Sequence, residues 1–209
     1  MKKQLKYSSL FVLVLTLSAC SGSDSTKTAV PRSIESTVLG SKYSPDSSGL
    51  ILQWTAYKFT EKLGVSGTFD DCSLKLKNDS GTIEELLADA ELTLSTKSVN
   101  SNNELRDPKL RADFFNVFNT EIITARILSM NQGQGVLELK MNGMKNDVEY
   151  DYSNTNDTLI LSTQLNLLLW EGKEAMDSLN RVCYDLHKGA DGISKLWPDV
   201  AVSFKLPIH

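Results

Sequence analysis

The sequence predicts a mainly β fold, a single extended antiparallel barrel of eight strands, and three observations point to it. After residue 50, apolar residues mostly alternate with polar ones, which is the period of a β-strand. The links between the alternating segments are short, so neighbouring strands are expected to be antiparallel. Strands and helices do not alternate as they would in a parallel sheet. Closure into a barrel removes the edges of the sheet, and eight strands leave room for side chains or one small ligand.

The first nineteen residues are predicted to be an export signal rather than part of the fold. Three of the first six residues are Lys, and the apolar run at 10–17 is too short to span a bilayer. Leu17-Ser18-Ala19-Cys20 resembles a bacterial lipobox, in which the Cys is acylated and becomes the first residue of the mature chain. Ser21 then favours the outer membrane over retention at the inner membrane. The alternative is an ordinary cleaved signal with a coincidental Cys20.

Residues 20–45 are predicted to be an acylated Cys and a flexible tether, and residues 46–209 are predicted to be one folded domain. The tether has few large apolar residues and cannot bury a core. Without the signal, the chain keeps 19 of its 22 Lys and Arg residues against 26 Asp and Glu residues. This acidic balance argues against nucleic-acid binding, which needs an excess of positive charge on one face.

Three elements are predicted in the first part of the domain. Residues 50–57 are rich in β-branched and aromatic residues, which predicts a strand that is apolar on both faces. Residues 64–69 predict a second strand, whose glycines indicate bends or a close backbone approach. Thr82 and Glu85 have the spacing of a capping box, so a short amphipathic helix is expected over 83–90.

The middle of the chain predicts three more strands and a hairpin. Residues 92–98 alternate as a half-buried strand does, and residues 103–118 are expected to form a loop with a short helix. Residues 122–128 and 135–141 are strand-like. Asn142-Gly143 then suits a tight hairpin turn, because both residues tolerate positive φ.

The last part of the chain predicts three strands and one helix. Residues 148–152 return from the hairpin, and residues 159–165 form the next strand after a polar turn. Apolar residues recur at helical spacing over 173–187, so this segment is expected to be one helix that packs by one face. Residues 200–206 are the last predicted strand.

Cys72 and Cys183 are left once Cys20 is assigned to the membrane anchor. An even pair in an exported protein favours a disulfide, which would close a loop of roughly 110 residues. Two free buried thiols are one alternative. A metal site is the other, because Cys183 and His187 lie one turn apart on the predicted helix and could hold a metal together with Cys72.

Residues 103–117 resemble the signature of the YceI-like family. The segment contains Arg106-Asp107, then Leu110, and then the pair Phe114-Phe115. The order of segments around it is also similar, from Trp54-Thr55-Ala56-Tyr57-Lys58-Phe59 to the strand and hairpin at 135–143. The resemblance extends from about residue 50 to the end of the chain.

The resemblance implies a lipocalin-like antiparallel barrel in an exported protein, whose lumen holds a long polyisoprenoid such as a prenyl quinone or a prenyl alcohol. It implies no enzymatic mechanism. The alternative for each lumen residue is a purely structural role, since apolar faces line every barrel, filled or empty. The residues expected to line the lumen and contact the ligand are Trp54, Phe69, Leu94, Phe114, Phe115, Val117, Leu137, Leu139 and Leu161.

Arg106 and Asp107 are expected to lie in the loop at the mouth of the barrel. The planar guanidinium of Arg106 would suit the oxygens of a quinone or of a phosphate head group. The alternative is structural: the two residues form an ion pair or hold the loop, with Asp107 as the N-cap of a helix and Pro108 at its first position.

The residues available for catalysis are few. The two His residues are His187, near a predicted helix end, and His209 at the terminus. The sequence patterns of nucleophile elbows, phosphate-binding loops, dinucleotide sites and zinc proteases do not occur. We therefore expect that the protein is not an enzyme. We also expect no cofactor, apart from a bound polyprenyl quinone or another isoprenoid.

The leading hypothesis is a protein that binds, stores or transports a long isoprenoid or a similar amphipathic lipid in the bacterial cell envelope. Its acyl chains would hold it at the outer membrane, facing the periplasm. The alternative is a non-catalytic envelope protein that docks a partner protein and whose barrel is filled by its own side chains. A subunit linked to quinone redox chemistry would rest on analogy alone.

Overall fold

The computed structural model describes residues 40–209; the predicted signal, Cys20 and most of the predicted tether lie outside the described residues. The described part is mainly β: one antiparallel sheet of ten strands that curls into a half-barrel, with few helices. The strands are β1 (Ile51–Lys58), β2 (Leu63–Phe69), β3 (Cys72–Lys75), β4 (Glu91–Ser95), β5 (Val99–Asn100), β6 (Ile122–Asn131), β7 (Gln134–Met141), β8 (Met144–Thr155), β9 (Thr158–Asn166) and β10 (Leu196–Pro207). The α-helices are α1 (Ile83–Leu87), α2 (Asp107–Lys109) and α3 (Lys173–Val182).

The strands follow the order β3, β4, β6, β7, β8, β9, β10, β1, β2, β5 across the sheet. Strands β6, β7, β8 and β9 pair in that order, because short turns join each one to the next. Strand β9 also pairs with β10, although α3 lies between them in the chain. Strand β10 pairs with β1, so the first and last strands are neighbours. The predicted hairpin is confirmed: Met141 pairs with Met144, and the two turn residues, Asn142 and Gly143, have φ of 49° and 69°.

The expected count of eight strands is wrong, because one predicted strand is broken in two and one further strand was not predicted. The strand predicted over 92–98 ends as β4 at Ser95, makes a 3-10 turn and resumes as β5. After β2, the chain passes Asp70 and Asp71 and continues as β3, which has no counterpart in the prediction. The two breaks face each other, since the Asp70 N–H donates to the Ser98 carbonyl and the Ser95 N–H donates to the Asp71 carbonyl.

Thr96 explains the break between β4 and β5. Its buried hydroxyl donates to the backbone carbonyl of Thr120 (2.7 Å), with the Glu121 carbonyl at 3.1 Å, and this turns residue 96 out of the sheet ladder. A bond to a segment 24 residues away leaves no local trace in the sequence. In the described residues β3 and β5, the two ends of the sheet, do not pair with each other. The sheet is thus curled and has ten strands rather than eight, and its two ends lie side by side where β2 pairs with β5 and β3 pairs with β4.

Two helices are shorter than predicted. Helix α1 begins with the predicted capping box, in which Thr82 Oγ1 accepts from the Glu85 N–H (3.3 Å) and the Glu85 carboxylate accepts from the Thr82 N–H (2.9 Å). It ends at Leu87 rather than at residue 90. The helix predicted over 173–187 is α3 followed by a separate 3-10 turn, Tyr184–His187. Cys183 between them has φ of −114° and ψ of 23°, which interrupts the helix.

The segment predicted as a loop with a short helix contains α2 and, directly after it, a wider π-helical stretch, Leu110–Phe115. Asp107 is the first residue of α2 and not its N-cap, so that part of the prediction is wrong. Its carboxylate instead accepts from the backbone N–H (2.9 Å) and from the hydroxyl (2.5 Å) of Ser101. These bonds tie the helical segment to the chain that leaves β5.

Backbone pairing begins at Tyr43, three residues before the predicted start of the domain. Tyr43 pairs with Gly81 and Pro45 pairs with Ile208, so the end of the predicted tether is held against the folded domain. Across residues 40–209, the helices are all too short or too polar to cross a membrane.

Candidate functional site

The curled sheet encloses a cavity of about 230 Å³. Among the described residues, none that lines it is charged, and only Ser162 and Thr163 are neither aliphatic nor aromatic. Leu196 and Phe204 both line it and lie eight residues apart on β10, so the lined stretch is about 27 Å long at about 3.4 Å per residue. The cavity is therefore long, narrow and apolar.

The alternation of side chains along the strands positions many of the residues that form the cavity wall. Successive side chains of a strand point to opposite faces of the sheet, so every second residue of one strand can face the interior. Strands β6 and β7 contribute in this way through Ile123, Ala125, Ile127, Leu137, Leu139 and Met141. The period-two pattern of the sequence is thus the direct cause of the apolar wall.

Trp54 lines the cavity from β1 and depends on a glycine in the neighbouring strand. Its indole N–H donates to the backbone carbonyl of Thr68 (3.2 Å). A Cβ on Gly67 would lie 2.4 Å from the Trp54 ring and 2.6 Å from the Asn100 carbonyl oxygen. Gly67 therefore allows the indole to pack closely against β2.

Helical side chains complete the wall. Phe114 and Phe115 reach the cavity from the segment after α2, and Met176 and Leu179 reach it from α3. The Phe115 ring packs edge-to-face against both Phe114 (5.0 Å between centroids) and Phe69 (5.9 Å). The aromatic pair of the sequence signature thus joins the helical segment to the sheet.

The structure places eight of the nine predicted lumen residues on this wall, and their contact with a ligand stays a prediction. Val117 is the exception: it is 36% exposed and does not line the cavity, whereas the next residue, Phe118, does. The eight wall residues are Trp54, Phe69, Leu94, Phe114, Phe115, Leu137, Leu139 and Leu161.

The prediction missed the contribution of the last strand and of α3. Val200, Val202 and Phe204 line the cavity from β10, and Met176 and Leu179 line it from α3. The alternation of 200–206 and the apolar helix face were both visible in the sequence. The sequence pattern did not show that these two faces meet the same cavity.

One end of the cavity is sealed by packed side chains. Leu87 of α1 lines the cavity and is 1% exposed. The hydroxyl of Tyr152 on β8 donates to the Glu84 carboxylate (3.1 Å), which holds α1 over this end. Three side chains of the same core cluster are completely buried: Leu159, Leu206 and Ile208. We call this region the sealed end.

The opposite end, which we call the mouth, is lined by half-buried residues. These are Tyr57, Leu110, Leu196 and Trp197. Basic residues lie close to these lining residues. Lys58 follows Tyr57 and Lys109 precedes Leu110 in the chain, and His187 lies in the turn after α3. We define the mouth cluster as Lys58, Arg106, Lys109 and His187.

Hydrogen bonds fix the segments that carry the mouth cluster. The Lys58 ammonium, at the end of β1, donates to the backbone carbonyl of Leu186 (2.8 Å) in the turn after α3. The Leu110 N–H donates to the Arg106 carbonyl (3.0 Å), so Arg106 and Lys109 belong to the helical turn that carries the wall residue Leu110. The sequence prediction identified only Arg106 of this group.

The mouth cluster has a positive potential that acts on its own members. Burial, and then the charges of Lys58, Lys109 and Arg106, lowers the pKa of His187 to about 4. Burial and the Arg106 charge also lower the pKa of Lys58. His187 is therefore neutral at pH 7, with Nδ1 3.0 Å from the Asn180 side-chain oxygen, to which it donates as the Nδ1–H tautomer.

Arg106 and Asp107 do not form the ion pair that was one structural alternative. Asp107 bonds Ser101, and no carboxylate within residues 40–209 lies within 4 Å of the Arg106 guanidinium. Neither residue lines the cavity wall. Arg106 contributes its charge beside the mouth, and Asp107 holds the helical segment in place.

The predicted disulfide is wrong, because Cys72 and Cys183 both have free thiols. Cys72 begins β3 and packs against the sealed-end core, whereas Cys183 follows α3 on the mouth side. Burial, and then the Asp71 charge, raises the pKa of the Cys72 thiol to about 11. The metal alternative also fails: the described part of the chain has no cluster of three His, Cys, Asp or Glu side chains suited to a metal.

Comparison with known proteins supports the fold. Residues 43–208 match the YceI-like domain. A polyisoprenoid binding domain from Saccharophagus degradans, implicated in plant cell wall breakdown, is similar in structure, with a TM-score of 0.55, 14% identity, and coverage of 80% of this chain and 97% of that chain. BcnA from Burkholderia cenocepacia has a TM-score of 0.51, 13% identity, and coverage of 79% and 99%. The comparison with curated proteins gives no match.

Proposed function

Because this chain belongs to the YceI-like family, and because its sheet encloses a long apolar cavity, we propose that it binds and carries a long isoprenoid or a similar amphipathic lipid. The observation that carries the proposal is the cavity wall, which runs about 27 Å along β10 without a charged residue. Such a wall suits a hydrocarbon chain, which offers no partner for charges or hydrogen bonds. The role is one of binding rather than catalysis.

The energetics favour a long chain over a small guest. Burying some fifteen CH₂ equivalents contributes roughly 12 kcal/mol at about 0.8 kcal/mol each. That is of the same size as the association cost of about 4 to 15 kcal/mol. A guest of only a few carbons would not offset this association cost, so the free energy of burial favours a long chain.

The alternative of a side-chain-filled barrel that docks a partner protein has less support. Its premise is an interior packed by the protein's own residues, and the interior contains an apolar cavity instead. The structural neighbour from Saccharophagus degradans, which is described as polyisoprenoid binding, adds support for a prenyl chain as the guest.

The lipid content of the purified protein tests this function directly. We expect mass spectrometry of a solvent extract to detect an isoprenoid or similar lipid in a near-stoichiometric amount after gentle purification. Reproducible absence of any lipid, from protein whose folded state is verified by circular dichroism, would reject the proposal.

A matched pair of variants links the bound lipid to the cavity. Ala125 lines the wall from β6, whereas its neighbour Thr124 does not. Ala125→Phe places a ring in the lumen and is expected to lower the retained lipid by at least about half, whereas Thr124→Phe should leave it unchanged. Equal retention by the two variants would show that the lipid lies elsewhere.

We also propose that the protein is a lipoprotein of the bacterial envelope, held through acylated Cys20 at the outer membrane and facing the periplasm. Cys20 and the signal lie outside the described residues, so this proposal rests on the lipobox-like sequence alone. Cells fed an alkyne-tagged fatty acid should label the wild-type chain and not a Cys20→Ala variant. Labelling of both would contradict it.

A further inference from the structure

The mouth cluster brings three basic side chains, Lys58, Arg106 and Lys109, to the mouth of an uncharged cavity. Lys58 adjoins the wall residue Tyr57, and Lys109 adjoins the wall residue Leu110. Arg106 lies one turn before Leu110 on the same helical segment. In residues 40–209 none of the three cations has a carboxylate within 4 Å.

Other cations at the same end of the sheet do have partners. The Lys62 ammonium pairs with the Asp199 carboxylate at 2.7 Å. The Lys195 ammonium lies 3.5 Å from the centre of the Trp197 ring. Lys58 contacts the Leu186 carbonyl and the Phe59 ring, both of which are neutral. Within the described residues, Lys58, Arg106 and Lys109 thus lack the carboxylate partner that Lys62 has at this end.

The carboxylate adjacent to Arg106 in the sequence does not supply that charge. Asp107 accepts two hydrogen bonds from Ser101, which hold its carboxylate toward the chain after β5. Three cations around a neutral His187 repel one another, and an anion bound among them would relieve this repulsion.

We propose that the guest of the cavity is an acidic lipid, whose negatively charged head, a phosphate ester or a carboxylate, binds Lys58, Arg106 and Lys109 while its chain fills the cavity. This inference rests on the proposed lipid-binding function and adds the chemical class of the head group. Guanidinium and ammonium groups form their strongest hydrogen bonds with phosphate and carboxylate oxygens. A neutral quinone or alcohol head would leave the three charges without a partner.

Matched lipids that differ only in the head group test the inference. Geranylgeranyl phosphate is compared with geranylgeraniol, and hexadecanoate with hexadecanol, by calorimetry on the delipidated full chain. We expect at least one acidic lipid to bind about tenfold or more tightly than its neutral counterpart, with the difference shrinking as salt is added. The two pairs separate a phosphate head from a carboxylate head.

A variant pair assigns the effect to the mouth cluster. The double variant Arg106→Gln with Lys109→Gln should lose most of the preference for the acidic lipid while binding the neutral lipid as before. Lys75→Gln, on β3 and remote from the mouth, should keep the preference. Melting curves check that each variant is folded.

The outcomes separate this inference from the proposed function. Equal binding of acidic and neutral lipids would overturn the acidic head group and leave lipid binding standing. A full preference in the double variant would overturn the role of the mouth cluster. Failure of all four lipids to bind would overturn the proposed function and this inference together.

Discussion

The sealed end and the mouth belong to the same strands but are built for opposite purposes. At the sealed end, Leu159 and Leu206 pair across β9 and β10 and have no exposed surface. At the mouth, Leu196 and Trp197 of the same β10 are half-buried and lie beside cations. One continuous strand therefore contributes to a fully buried core at one end and to the half-buried mouth of the cavity at the other.

The largest effect is expected from a cavity at the sealed end. Leu159→Ala removes a completely buried side chain from the core cluster and should lower the free energy of unfolding by about 2 to 5 kcal/mol. Urea denaturation measures the loss. Leu110→Ala at the half-buried mouth is the control and should cost about 1 kcal/mol or less. A similar loss in both variants would remove the distinction between the two ends.

Between the two ends, Gly67 tests how tightly the wall is packed. Gly67→Ala forces a methyl group against the Trp54 ring and the Asn100 carbonyl, and should lower the free energy of unfolding by about 1 to 3 kcal/mol. Gly64→Ala in the same strand is the control, since its closest neighbour is a Thr55 methyl at 3.1 Å; it should stay within about 0.5 kcal/mol of wild type. Equal stability of the two variants would contradict the close fit.

The mouth predicts a dependence of stability on pH in the acidic range, where His187 titrates. His187 has a pKa of about 4 in the folded protein and about 6.5 when unfolded, so the unfolded chain binds a proton first as the pH falls. Stability is therefore full above about pH 6.5 and decreases between pH 6.5 and 4, by about 1 to 2 kcal/mol for this partly exposed ring. The difference between His187→Gln and wild type, measured by urea denaturation at pH 7 and pH 5, isolates this contribution. Parallel losses in the two proteins would refute it.

The smallest effect is expected from the thiols. A reductant should change the free energy of unfolding by less than about 0.5 kcal/mol, because Cys72 and Cys183 are not bonded. In a Cys20→Ser variant, two thiols should react rapidly with a thiol reagent after denaturation and slowly before it, since Cys183 is buried and Cys72 has a pKa of about 11. If the denatured protein had no reactive thiols, the free thiols would be contradicted and a disulfide between Cys72 and Cys183 would be supported.

Much of the fold could be predicted because it depends on local patterns. The alternation in β6 and β7, the hairpin at Asn142-Gly143 and the capping box of α1 each involve residues close in sequence. Such signals follow from backbone geometry, which is the same in every protein. The aromatic pair Phe114-Phe115 was placed at the wall by the family resemblance rather than by periodicity.

The errors share a different cause. Thr96 breaks its strand to bond Thr120, and Asp107 turns to Ser101 instead of capping α2. In both cases a polar side chain finds a partner that the local pattern does not reveal. Val117 was misplaced for a related reason, because the phase of the helical turn decides which neighbour faces inward.

The sequence by itself determined which residues are apolar at strand spacing, where the chain turns, and that the folded domain resembles the YceI-like family. Only the tertiary structure decided that the wall closes around an elongated cavity, that the cysteines stay apart, and that Lys58, Lys109 and His187 join Arg106 at the mouth. The physical reason is distance along the chain. Alternation and capping act over a few residues, whereas a cavity and its charges form from segments more than 100 residues apart, which only packing brings together.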